Sequence, residues 1–209
     1  MKAVLISIRP KWCEKIVNGK KTIEVRKTRP KLETPFKCYI YCTQASVKYQ
    51  TICGCQVLNS DELYRHPEQG IKHGDSIELM LCENYTKDNF LNGKVIGEFI
   101  CDRIYELETR SPGGSYYVNG EGRPTTNDVA RQSCLTFKDM HEYLQSKVGY
   151  GWHISNLKIY DTPKELRKFS RPFENCIDKV CDEFGWALCE NGGRIKRAPQ
   201  SWCYVEEVE

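Results

Sequence analysis

The residues best suited to chemistry lie in one short segment, GKKTIEVR (Gly19–Arg26). Lys21 places a point charge at a helix-to-strand turn, and Glu24 and Arg26, two residues apart, share one face of the following strand. Arginine carries a planar fork of donors that fits a phosphate group or a base edge, while Glu24 either holds this fork or accepts from a ligand amino group. The segment predicts a site for a ligand that carries a phosphate group or a base edge. The alternative is a surface ion-pair ladder, which contributes little to stability.

A second candidate is the adjacent pair Trp152 and His153, at the start of an alternating segment. An indole stacks on a base and an imidazole forms hydrogen bonds with it. The alternative is a tryptophan in the core and a histidine at the surface. The Gly-rich segment Ser111–Pro124 is expected to be a loop, either closing over a ligand or lying idle at the surface.

Positive charge is concentrated at the start of the chain. Residues 1–37 contain eleven Lys and Arg against three Glu, a net charge of +8, although the whole chain carries only +3. Cationic surfaces attract phosphates and release their counterions. The segment therefore predicts an anionic partner, either a nucleic acid or an acidic protein. The expected basic face comprises Arg9, Lys11, Lys20, Lys27 and Arg29.

The twelve cysteines do not follow a metal-binding spacing. No C-x2-C pair is present, so the zinc-ribbon, zinc-finger and thioredoxin signatures are absent. We expect buried free thiols at positions such as Cys38, Cys42, Cys101 and Cys203, and neither a bound metal nor a cofactor. The best metal candidate would combine Cys53 and Cys55 with His66 or His73.

Length and composition limit the class of protein. The 209 residues, 40% hydrophobic and 28% charged, are typical of one globular domain over residues 1–209. The apolar run Ala3–Ile8 is too short for a secretion signal or a membrane span. We therefore expect a cytoplasmic protein that does not cross a membrane.

A strand–helix–strand unit is predicted around the charged segment. Lys2–Ile8 has the apolar pattern of a buried strand, Pro10 starts a helix, and Gly19 ends it. Residues 20–27 then alternate as a strand. Strict alternation separates Lys21 from Glu24, so the two converge only if the strand begins later or twists at Lys21.

The rest of the chain predicts an α+β fold with a curled, mixed sheet. Strands are expected at 36–43, 94–107, 152–160 and 201–208, with further candidates at 53–58 and 76–82. A capping box at Thr136–Asp139 predicts a helix whose buried face includes Phe137 and Tyr143, and Thr162–Glu165 predicts the start of another.

The opening run SIRPKWCEKIVNGKKTIEVRK resembles the start of ASCH domains, which are relatives of the PUA fold. Their pattern is P-x-x-A/C-x-x-I-x-x-G-x-K-x-x-E-x-R, and the matching residues are Pro10, Cys13, Ile16, Gly19, Lys21, Glu24 and Arg26. Later segments resemble longer bacterial and phage-type members: Phe36–Cys42, Gly93–Ile104, Gly149–Leu166 and Pro199–Glu207. Segments 44–92 and 108–135 look like insertions or variable regions.

The resemblance implies a PUA-like small β-barrel flanked by helices, with a cleft at the first helix-to-strand turn. ASCH domains are associated with binding RNA or modified nucleosides there, so non-catalytic binding by Lys21, Glu24 and Arg26, with Trp152 and His153 nearby, is the leading prediction. Small members that resemble this motif hydrolyse N4-acetylcytidine, using the lysine together with a threonine where this chain has Glu24.

Two alternatives to non-catalytic binding stay open. One is a hydrolase acting on a modified nucleoside, with Lys21 and Glu24 as its catalytic candidates. Because Glu24 replaces the threonine of the amidohydrolases, the resemblance argues against their activity. The other is a regulatory module whose basic face binds an acidic protein partner.

Overall fold

The computed structural model describes residues 2–44, 91–109, 116–118, 123–172 and 193–207. These residues form eight strands and three α-helices, which are β1 (Ala3–Ile8), α1 (Pro10–Val17), β2 (Ile23–Arg26), β3 (Phe36–Cys42), β4 (Lys94–Thr109), β5 (Tyr116–Val118), α2 (Thr126–Ser133), α3 (Phe137–Leu144), β6 (Gly149–Glu165), β7 (Phe169–Ser170) and β8 (Trp202–Glu207). The candidate strands at 53–58 and 76–82, and the candidate metal ligands Cys53, Cys55, His66 and His73, lie outside the described residues.

The described residues divide into two compact units, each built from several stretches of chain. The first comprises residues 2–14, 37–44, 91–98, 158–172 and 193–207. Its strands follow the order β6, β4, β3, β1, β8, β7. Strand β1 pairs in parallel with β3 and antiparallel with β8, so this sheet is mixed. Its core includes Leu5, Tyr39, Phe169 and Val205.

The second unit contains the charged segment and comprises residues 15–36, 99–109, 116–118 and 123–157. Its strands follow the order β2, β6, β4, β5. Strand β2 pairs antiparallel with β6, so that Ile23 lies opposite His153 and Arg26 opposite Tyr150. Apolar side chains from β2, β4, β5 and both of the later helices form its core, including Ile23, Tyr105, Val129, Met140 and Leu144.

The structure confirms the α+β class and the mixed sheet. The opening strand, helix and strand occur where the sequence predicts them, and α1 ends two residues before Gly19, whose φ of +71° is accessible to glycine without strain. In neither unit does the last strand of the described order pair with the first. The described sheet is therefore open rather than a closed barrel.

Some local predictions differ from the structure. The helix expected at Thr162–Glu165 is wrong, because β6 continues through these residues and only a 3-10 turn, Leu166–Lys168, follows. A residue before proline is biased towards extended backbone, which fits Thr162 in a strand. Within the expected loop Ser111–Pro124, residues 116–118 form β5, and helix α2 was not predicted.

Helix α3 starts where its capping box predicts, but its buried face is narrower than expected. Met140 and Leu144 are fully buried, whereas Phe137 and Tyr143 are 44% and 39% exposed. An eight-residue helix makes just over two turns, which leaves room for only a short buried stripe.

The described cysteines are free thiols. Cys38, Cys42 and Cys101 are buried as predicted, and Cys203 is half-buried. Burial raises the pKa of Cys101 to about 12 and that of Cys203 to about 11, so both stay protonated at neutral pH. Among the described residues there is no helix long and apolar enough to cross a membrane.

Replacing Thr136 tests whether the predicted capping box stabilises the second unit. The Thr136 hydroxyl accepts from the backbone N–H of Asp139 at 3.1 Å, and the Asp139 carboxylate accepts from the backbone N–H of Thr136 at 2.9 Å. Thr136→Ala should lower the free energy of unfolding by about 1 kcal/mol, measured by chemical denaturation. Thr136→Ser keeps the acceptor and should stay close to wild type, and equal stability of all three proteins would contradict this role.

Candidate ligand site in the second unit

A tight turn after α1 brings Lys21 towards the start of β2. The backbone N–H of Gly19 donates to the carbonyl of Ile16 at 3.0 Å, and that of Lys21 donates to the carbonyl of Lys15 at 2.8 Å. Strand β2 begins only at Ile23, so Lys21 lies before the alternating part of the strand. The alternation of side chains along β2 therefore does not require Lys21 to project from the same face as Ile23 and Val25.

The Lys21 ammonium is buried and bound to three acceptors. Only 2% of its side chain is exposed. Nζ donates to the carbonyls of Ser133 at 2.7 Å and Ile23 at 2.9 Å, and it lies 3.1 Å from Oε2 of Glu24. Ser133 is the last residue of α2, where backbone carbonyls lack helical partners and a cation is favoured. Lys21 therefore caps the C-terminal end of α2 and holds the Glu24 carboxylate in place.

Glu24 lies between two cations. Its Oε1 is 3.0 Å from Nη2 of Arg26, while its Oε2 faces Lys21. All three residues are buried, with 2%, 6% and 8% relative exposure for Lys21, Glu24 and Arg26. The group carries a net charge of +1. The alternative of a surface ion-pair ladder is therefore wrong, since the chain of charges is inside the unit.

Two further hydrogen bonds reinforce the link between the segment leading into β2 and α2. The N–H of Thr22 donates to the carbonyl of Gln132 at 2.9 Å, and the thiol of Cys134 lies 3.3 Å from the carbonyl of Lys20. Helix α2 begins with its own capping box at Thr125 and Asp128. The same T-x-x-D signal that predicts α3 was present here, and it would have located the helix that holds Lys21.

Trp152 and His153 lie on opposite faces of the β2–β6 pair. Trp152 is opposite Glu24, is fully buried, and meets the ring of Phe36 edge-on at 6.0 Å. His153 is opposite Ile23 and faces the ring of Tyr105 at 6.4 Å. Residues paired across a sheet project to the same side, and neighbours along a strand to opposite sides. Trp152 thus supports the core interpretation, and His153 does not share the face of Glu24.

His153 is paired with Asp102, a residue that was not predicted from the sequence. Its Nδ1 is 2.6 Å from Oδ1 of Asp102, and both side chains are partly exposed. Burial by itself raises the pKa of Asp102, but the hydrogen bond and charge of His153, together with Arg103, outweigh this and lower it. No spacing rule links two residues 51 apart; only their places on β4 and β6 bring them together.

The expected basic face is exposed in both units. In the first unit Arg9 and Lys11 are exposed, and in the second Lys20, Lys27 and Arg29 are exposed. No group of three or more residues able to ligate a metal occurs among the described residues.

Residues 6–90 match the family model described as ASCH domain. Over these residues the chain is similar to the ASCH domain family. The match includes Pro10–Arg26, the opening pattern of the family, and so contains the whole Lys21–Glu24–Arg26 cluster.

Two solved structures are similar to this chain over nearly its whole length, at low sequence identity. One is an ASCH protein from Zymomonas mobilis, with a TM-score of 0.43 and 14% identity, covering 99% of this chain and 98% of that one. The other is a mutant ASCH protein from the same organism, with a TM-score of 0.44 and 14% identity, covering 99% and 91%. No curated protein is a significant match.

Lys21→Met tests whether the buried ammonium of Lys21 stabilises the folded protein. The change leaves the Ser133 carbonyl without its donor and Glu24 with one cation, and breaking a buried pair costs about 3–5 kcal/mol. We expect a loss of that size in the free energy of unfolding, measured by chemical denaturation. The control is Lys20→Met at the exposed neighbouring lysine, which should change stability by less than about 0.5 kcal/mol. Similar losses for both variants would contradict the assignment.

His153→Ala tests the pairing with Asp102. Because His153 lowers the pKa of Asp102 below its ordinary value of 3.8, removing it should raise that pKa, as followed by NMR titration of the carboxyl carbon. The pair's contribution to stability is present above about pH 4 and is lost as the pH falls through the lowered pKa. The control is His141→Ala on α3, and an unchanged Asp102 pKa in His153→Ala would refute the pairing.

Proposed function

We propose that this protein binds RNA or a nucleoside-like ligand without catalysis, using Glu24 and Arg26 as contacts and Lys21 as a positioning residue. The supporting observation is that the three buried side chains of the cluster differ in how much of their surface is exposed. The side chains of Glu24 and Arg26 retain 8% and 9% of their surface, whereas Lys21 retains 2% and is bound to three acceptors. A ligand therefore meets the glutamate–arginine end of the cluster.

The chemistry of that end suits a nucleotide. Arg26 binds Glu24 through Nη2, and a guanidinium has five N–H donors in a planar fork that matches phosphate oxygens and base edges. A carboxylate accepts several hydrogen bonds, so Glu24 can also accept from an exocyclic amino group. Low local dielectric strengthens such contacts, and the net positive charge favours an anion.

The exposed cations supply the second part of binding. Lys20, Lys27 and Arg29 flank the cluster in sequence, are exposed and lie in the same unit. Cations of this kind contribute affinity without base specificity and make it depend on salt. ASCH domains as a family are associated with RNA binding or with hydrolysis. The engagement of Lys21 with structural acceptors favours binding.

Arg26→Lys tests the proposed recognition. An ammonium preserves the charge next to Glu24 but cannot reproduce a bidentate fork, so the dissociation constant for single-stranded RNA should rise about tenfold or more. Binding is measured by fluorescence anisotropy, and thermal unfolding checks that the variant is folded. The matched control, Arg131→Lys, changes a 75% exposed arginine of the same unit and should bind as wild type does.

A salt titration of the wild-type protein separates the candidate functions. Contacts to about three phosphates predict a slope near −2 in a plot of log binding constant against log salt concentration. A salt-independent affinity, or no RNA binding in low salt, would contradict the proposal. Release of acetate from N4-acetylcytidine would instead identify a hydrolase, and saturable binding of an acidic protein without RNA binding would identify a regulatory module.

A further inference from the structure

Two exposed cations that follow β2 each lie over a tyrosine ring. Nζ of Lys27 is 5.2 Å from the ring centroid of Tyr143 on α3, and Cζ of Arg29 is 5.9 Å from that of Tyr150 on β6. Tyr143 is 39% exposed and Tyr150 is half-buried. We refer to these four residues as the cation–tyrosine pairs. All belong to the second unit.

Two other exposed cations of the same unit have carboxylate partners. Arg131 is ion-paired with Asp128 at 2.9 Å, and Lys138 lies 3.9 Å from Glu142. Within the described part of the chain, neither cation of the cation–tyrosine pairs has a carboxylate partner. Their positive charge is therefore available to an external anion.

The cation–tyrosine pairs adjoin the proposed ligand site. Tyr150 lies opposite Arg26 in the register of β2 and β6, so the two side chains project from the same face of that pair. Lys27 and Arg29 are two residues apart, which separates their Cα atoms by at most about 7 Å. Both cations therefore follow Arg26 closely along the chain, and the ring of Tyr150 lies on the face of Arg26.

We propose that the cation–tyrosine pairs form a surface for single-stranded RNA, in which Lys27 and Arg29 bind phosphates while Tyr143 and Tyr150 stack on bases. Aromatic rings next to cations are the combination that single-stranded nucleic acids require, because every base has a π-face and every linkage a charge. In a duplex the bases are paired and stacked, so the tyrosines have no base face to contact. This inference rests on the proposed function and adds the strand state of the RNA and the residues that contact it.

The test compares tyrosine and cation variants on a 20-nucleotide single-stranded RNA by fluorescence anisotropy. Tyr143→Ala and Tyr150→Ala should each weaken binding about tenfold without changing the salt slope, since stacking releases no counterions. Lys27→Ala and Arg29→Ala should each weaken binding and reduce the slope by about 0.7. A duplex of the same sequence should bind the wild-type protein more weakly than the single strand.

Matched controls exist on the same unit. Phe137→Ala removes an aromatic ring from the same helix, 44% exposed but without a cation over it among the described residues, and should bind RNA as wild type does. Lys138→Ala and Arg131→Ala remove one positive charge each, already paired with a carboxylate, and should have smaller effects than Lys27→Ala. Thermal unfolding confirms that every variant is folded.

The outcomes distinguish this inference from the proposed function. If wild-type protein binds RNA but folded Tyr143→Ala and Tyr150→Ala bind as tightly, or if the duplex binds as tightly as the single strand, the surface is wrong and the ligand site stands. If wild-type protein binds RNA in no form, the proposed function itself fails.

Discussion

The second unit depends on a buried ammonium that has to be satisfied. Burying a charge is costly unless it is paired and hydrogen-bonded, and Lys21 meets this requirement with the carbonyls of Ser133 and Ile23 and the carboxylate of Glu24. These contacts join the end of α2 to the start of β2. The same side chain thus closes a helix, ties it to an edge strand and holds the carboxylate of the candidate site.

This arrangement assigns different roles to residues that the family pattern groups together. Lys21 is directed at three internal acceptors and acts through Glu24, whose other oxygen holds Arg26. In the proposed function the glutamate–arginine end contacts the ligand, and Tyr150 shares the face of Arg26 on the β2–β6 pair. His153 and Asp102 lie across the sheet, so they form a separate polar pair rather than part of the same site.

Sequence alone predicted the local elements and the charged motif, because both are encoded in neighbouring residues. The strand–helix–strand opening and the Thr136 capping box depend on short-range periodicity and caps, and the structure confirms them. The burial of Glu24 and Arg26 was not predictable, because alternation identifies two faces of a strand but not that both are covered. The Ser133 contact and the Asp102–His153 pair join residues 112 and 51 positions apart, which only tertiary pairing can specify. Thr162–Glu165 was mispredicted because cap-like residues before a proline also suit an extended strand.

The most direct test of this account is NMR observation of the side-chain nitrogens of Arg26 and Lys21 during titration with short single-stranded RNA. If Lys21 is a positioning residue and Arg26 a contact, the Arg26 guanidinium signal should shift in a saturable manner while the Lys21 ammonium signal stays nearly unchanged. RNA binding that shifts the Lys21 signal and leaves that of Arg26 unchanged, or that perturbs neither, would contradict the account.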